Sequence, residues 1–134
     1  MKTILATSLV AAALTMAAAP AFAETRQERS EARLAELLED RVPGETRQCI
    51  TAMRSDGVRV IEGIGVVYDA GETIYVARVS NPNQLGWNDV PIFERHGSQL
   101  CSSDVIRTVD RSTGHYSGAV FLEHFVAYDR PAQG

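Results

Sequence analysis

The chain has 134 residues, with 13 basic against 17 acidic side chains and a net charge of −4. That length fits one domain. The acidic balance, with no basic run, argues against a nucleic-acid partner, which needs clustered positive charge.

The opening 23 residues, MKTILATSLVAAALTMAAAPAFA, read as a secretory signal peptide. Lys2 supplies the positive start and residues 4–19 a 16-residue apolar run. Pro20 breaks the run, and Ala21-Phe22-Ala23 gives the small-x-small pattern that signal peptidase reads. The run is shorter than the roughly 20 residues of a spanning helix. Cleavage after Ala23 leaves 111 residues with twelve arginines, no lysine and a net charge of −5. No later apolar run is long enough to span a bilayer, so the sequence predicts a periplasmic or secreted protein with no transmembrane segment after signal removal.

Residues 24–44 read as an amphipathic helix and linker. Thr25-Arg26-Gln27-Glu28 matches a capping box. Leu34, Leu37 and Leu38 follow at helical spacing, with charges filling the other positions over about four turns. Val42-Pro43-Gly44 is the expected stop. The apolar stripe is narrow. It suits a helix that lids a sheet, or a partly detached arm, better than a partner-recognition helix.

Residues 45–130 change texture to short β-type runs, and residues 131–134 form a tail. Strands are predicted near 47–53, 58–61, 64–68, 73–79, 91–94, 104–109, 116–121 and 125–128. The breaks at Ser55-Asp56-Gly57, Asp69-Ala70-Gly71 and Ser112-Thr113-Gly114 carry turn chemistry. Alternation in Val58-Arg59-Val60 and over residues 73–78 predicts strands with one buried face. Gly63 and Gly65 fit a bulge or tight bend, because a phosphate loop would need a further Gly and a following helix. The fold class is mainly β: a small antiparallel barrel or sandwich of six to eight short strands, preceded by one helix.

The one long irregular segment is SNPNQLGWNDV, residues 80–90, with the only Trp. Long loops on small β domains often carry function, so Asn81, Asn83, Trp87, Asn88 and Asp89 form the candidate binding loop. The competing expectation is that Trp87 folds back to plug one end of the barrel, as large aromatics commonly do.

Cys49 and Cys101 are the only cysteines. An even count in an exported domain predicts a disulfide. It would close a loop of about 53 residues, worth roughly 4 kcal/mol in the chain-entropy model. A nucleophilic Cys101 would need a free thiolate and a nearby base. His96, His115 and His124 lack ligand spacing, so neither a metal nor another cofactor is expected. Asp110-Arg111-Ser112-Thr113-Gly114 fits an Asp-led hairpin turn better than an aspartic-protease motif. No G-x-S-x-G elbow occurs, and no catalytic residue is assigned.

Several of these pieces together, Arg47-Gln48-Cys49-Ile50, Gly97-Ser98-Gln99-Leu100-Cys101, Asp104-Val105-Ile106, residues 110–114 and Phe125-Val126-Ala127-Tyr128, resemble a family of small exported proteins of Gram-negative bacteria. The resemblance covers residues 47–128 and leaves the helix outside. That family carries a Gly before the closing Phe where this chain has Glu123-His124, which sets His124 aside as a shared functional residue. It has no assigned activity, so the resemblance implies only a small exported β domain. The functional expectation is a non-enzymatic module that binds a protein or cell-envelope component. The alternatives are an inhibitor of an envelope-directed hydrolase and a small metal-assisted enzyme. N-terminal sequencing of the exported protein should read Glu24-Thr25-Arg26, and retention of Met1 would remove the signal peptide from the argument.

Overall fold

In the computed structural model, residues 24–95 and 97–132 are described. The expected signal peptide lies outside them, as do His96 and residues 133–134. The helix forms where its cap is written. Thr25 Oγ1 accepts from Glu28 N at 3.1 Å, and Thr25 N donates to the Glu28 carboxylate at 2.7 Å. Helix α1 runs Arg26–Leu37, a turn or so shorter than expected. The chain reverses at Asp40, which takes a left-handed φ of 64°. The expected stop at Val42-Pro43-Gly44 instead begins a strand, β1 (Val42–Arg47). Pro43 is tolerated there because β1 is an edge strand, paired on one side only, and the register shifts just after it.

Ten strands follow among the described residues, two more than the upper expectation. After β1 come β2 (Cys49–Thr51), β3 (Val58–Ile61), β4 (Gly65–Asp69), β5 (Thr73–Arg78) and β6 (Asp89–Ile92). Then come β7 (Gln99–Cys101), β8 (Ile106–Asp110), β9 (Tyr116–Val120) and β10 (Phe125–Asp129). The expected strand 47–53 divides at Gln48, so that one half pairs with β10 and the other with β7. The strand β7 escapes sequence reading because only Leu100 in it is buried. All pairings are antiparallel: a five-stranded sheet in the order β1-β10-β5-β4-β3, a three-stranded sheet β6-β8-β9 and a two-stranded ribbon β2-β7. The sheets do not close into a barrel and are consistent with a sandwich.

Strands β4 and β5 of the five-stranded sheet are buried on both faces, whereas its edge strand β1 is exposed throughout. Val66, Tyr68, Ala77 and Phe125 point inward to a cluster shared with Ile50, Leu100, Ile106 and Val120 of the smaller sheets. Ile61, Val67, Ile74 and Val76 point outward and meet Leu34 of α1. One-sided burial, expected from the alternation in residues 73–78, is therefore corrected. The helix lies over the outer face as a lid, so β4 and β5 carry apolar residues on both sides. Gly63 makes the tight β3–β4 turn at φ 69°, and its N–H donates to Leu85 O at 2.8 Å. Gly65 lies so close to Ala77 that a Cβ would collide with the Ala77 carbonyl.

The disulfide Cys49–Cys101 is formed, and no free cysteine remains. The two residues face each other across β2 and β7 with Cα atoms 4.0 Å apart. Ser102 N to Gln48 O and Ala52 N to Ser98 O are the flanking hydrogen bonds. The bridge therefore occupies a non-hydrogen-bonded pair, where side chains approach most closely. Leu34→Ala should lower the unfolding free energy by about 2–4 kcal/mol in a urea titration with an unchanged slope. A loss under about 0.5 kcal/mol, the range of uninvolved surface sites, would mean that the helix is not packed. Replacing both cysteines by Ala should remove roughly 4 kcal/mol in the same assay.

Candidate functional site

The long loop is fastened from behind. Asn81 Nδ2 donates to Ala119 O at 2.9 Å, and Asn81 Oδ1 accepts from Phe121 N at 3.2 Å. This side chain thus pairs with the open edge of β9 much as a strand would. Leu85 is 1% exposed and enters the inner core. Gly86 and Asp89 close a β-turn, with Asp89 N donating to Gly86 O at 3.1 Å and Asp89 Oδ2 accepting from Gly86 N at 2.9 Å. Asp89 Oδ1 also accepts from Ser117 Oγ at 2.7 Å. Asn88 donates to the Asp110 carboxylate, and its carbonyl accepts from Arg111 N at 2.8 Å.

Asn81, Asn88 and Asp89, three of the five candidate binding residues, therefore spend their polar atoms on the fold. Trp87 does not. It stands at the second position of the Gly86–Asp89 turn and is 60% exposed. The expectation that it plugs the end of the domain is overturned, and the physical reason is Leu85, which fills the core two residues earlier. The Arg26 guanidinium lies 5.6 Å from the Trp87 ring centroid, a cation–π contact that steadies the indole at the rim. Asn83 is exposed and has no hydrogen bond from its side chain among the described residues.

Helix α1 forms the opposite wall. Arg26, Arg29, Ser30 and Arg33 recur at helical spacing and line a recess of about 420 Å³ with Trp87 and Glu62 of the β3–β4 turn. A second recess of about 330 Å³ shares Arg26, Ser30, Glu62 and Trp87 and extends towards Asn83 and Gly86. Arg26 is paired with Glu62 at 3.6 Å. Arg29 and Arg33 have no carboxylate within 4 Å among the described residues. Beyond the packing of Leu34, the helix is aligned by Glu31, whose carboxylate takes two hydrogen bonds from Arg78 at 2.9 and 3.1 Å. Those hydrogen bonds hold the Glu31 carboxyl below its ordinary range and raise the Arg78 guanidinium above its own.

A larger concavity, about 1260 Å³, lies at the other end of the helix. Four arginines (Arg33, Arg41, Arg59 and Arg130) and four acids (Glu36, Glu39, Asp40 and Asp69) line it, so their charges balance. Arg41 is already engaged there, donating to the carbonyls of Gly71, Glu72 and Tyr128.

The remaining candidate groups are structural or dispersed. Asp110 Oδ1 accepts from Thr113 N and Ser112 N, both at 2.9 Å, which keeps its carboxyl below the usual range and makes the hairpin turn that the sequence predicts. His115 is exposed in that turn and His124 is exposed just before β10. Among the described residues no three His, Cys, Asp or Glu side chains come close enough to share a metal ion. No helix among them is long and apolar enough to cross a membrane. Sequence reading missed Arg26, Arg29 and Arg33; their i, i+3, i+7 spacing is the one available signal, and a charged helix face usually means only solvation. Its meaning depends on the loop that packs beside it.

No family model, no curated protein and no solved structure matches the chain.

The pH dependence of the helix clamp has a definite sign. The Glu31 carboxyl is depressed on folding, so its contribution is present above the ordinary value near 4.5 and is lost as the pH falls through the lowered one. Both partners are half exposed, so Glu31→Gln should cost no more than about 1 kcal/mol at neutral pH. The two proteins should converge in stability as the pH is taken well below 4.5, followed by chemical denaturation. A gap that persists there would assign the loss to packing.

Proposed function

We propose that the chain is an exported, non-enzymatic binding domain that recognises a protein or cell-envelope component through the rim built by Trp87 and helix α1. The observation that carries this reading is the contrast within one loop. Asn81, Leu85, Asn88 and Asp89 are tied inward, while Trp87 remains 60% exposed between two recesses. A large aromatic held open on a rigid support loses little conformational entropy when it is covered. Its cation–π partner keeps it poised rather than collapsed.

Export rests on the signal-peptide pattern, with the disulfide fitting an oxidising compartment. The likeness of the Arg47-Gln48-Cys49 and Gly97–Cys101 motifs to a family of small exported proteins points the same way. Loop rigidity also favours a second reading, inhibition of an envelope-directed hydrolase by insertion of the Trp87 turn into a cleft.

The binding reading is tested by retention of the mature protein on isolated envelope fractions. Trp87→Ala should retain the disulfide, the circular dichroism spectrum and a Tm within about 2 °C, since an exposed side chain contributes little to folding. It should lose at least about tenfold in retention, as central exposed aromatics do when truncated. Equal retention of the two proteins would remove Trp87 from the function.

A further inference from the structure

Two features of the rim point to a ligand class. The first is charge. In a chain of net charge −4, Arg26, Arg29 and Arg33 line one recess with a single carboxylate, Glu62, and Arg33 stands on the ridge shared with the larger, charge-balanced concavity. Glu62 is paired with Arg26, whereas Arg29 and Arg33 carry no carboxylate partner among the described residues. Two guanidinium forks one helical turn apart are therefore available to anionic oxygens, and guanidinium engages a carboxylate through two parallel hydrogen bonds. The second feature is shape. Trp87 divides two recesses of about 420 and 330 Å³, one arginine-lined and one running past Asn83 and Gly86. Each is at the small end of ligand sites, which span roughly 300–1,000 Å³. A ligand that occupies both must be longer than a single ring and must pass over the indole.

We infer that this groove holds an acidic saccharide, with one ring packed on Trp87 and its carboxylates paired to Arg29 and Arg33. The C–H face of a pyranose is flat and apolar and matches the indole, while its edge presents hydroxyls. Ser30 in the first recess and Asn83 in the second supply neutral hydrogen-bonding groups for those hydroxyls. An inorganic anion would satisfy the arginines but leave Trp87 and Asn83 without a role. An acidic peptide would bring the charge without the stiff ring face. The inference rests on the binding reading above and names the ligand class for the same site.

Trp87 is the only tryptophan, so its emission reports directly on the groove. The mature protein, disulfide intact, is titrated with the trimer of galacturonic acid, the uncharged trimer of galactose, a short poly-glutamate peptide and sodium sulfate. The acidic trimer should give a saturable change that weakens about tenfold between ~50 and ~500 mM salt. Arg29→Gln and Arg33→Gln should each weaken it about tenfold, with the circular dichroism spectrum and Tm unchanged. Equal binding of the neutral trimer would overturn the charge argument. Equal binding of the peptide or of sulfate would overturn the saccharide. If the acidic trimer fails to bind while Trp87-dependent retention on envelope fractions persists, the ligand class is wrong and the binding domain stands. Loss of both results overturns the two readings together.

Discussion

Val66 and Val67 are neighbours in β4, point to opposite faces of the sheet, and are each 1% exposed. A strand can bury consecutive side chains only when something covers both faces. The inner face finds its cover in the short sheets β6-β8-β9 and β2-β7. The outer face finds it in one helix, whose single fully buried side chain is Leu34. The rest of the architecture follows from that need. The helix must lie along β3, β4 and β5, and Glu31 with Arg78 fixes it there. Once it is seated, its arginine face stands beside the long loop and a groove exists between them. The candidate site is thus a consequence of covering a two-sided sheet.

The smaller sheets pose a different problem. Strands β2 and β7 have three residues each, too few for a ladder to hold alone. The disulfide between their facing residues fixes the pairing, and Ile50 and Leu100 beside it reach the core. The loop closure that this bond imposes on the unfolded chain helps a domain whose size limits the core it can build. In the three-stranded sheet, β9 has one edge with no strand beside it among the described residues. Asn81 covers part of it, joining the candidate loop to the sandwich.

The sequence made some of this legible and hid the rest for physical reasons. The capping box at Thr25, the Asp110 turn and the disulfide were readable because each is local chemistry or a forced pairing. Strand β1 was hidden because Pro43 and Gly44 look like punctuation, and edge strands tolerate both. Strand β7 was hidden because its pattern is too short to have a period. The double burial of β5 was unreadable without knowing where α1 docks, since Ile74 and Val76 face the helix and Tyr75 and Ala77 the core. Within the site, loop composition pointed to five residues but could not separate those that hold the loop from those that front it. The arginines of α1 passed as part of the charged filling of the helix, and nothing in their spacing names Trp87 as a neighbour.

The fastening of the loop from behind divides its positions into two kinds with different evolutionary freedom. The side chains of Asn81, Leu85, Asn88 and Asp89 are each committed to a hydrogen-bond or core partner within the domain, so drift at these positions costs stability. Asn83 and Trp87, with Arg29 and Arg33 across the groove, carry no such duty in the strand pairings or the core. Selection can therefore retune specificity at those four sites without renegotiating the scaffold. A randomised library confined to them would sample new ligands on an unchanged frame.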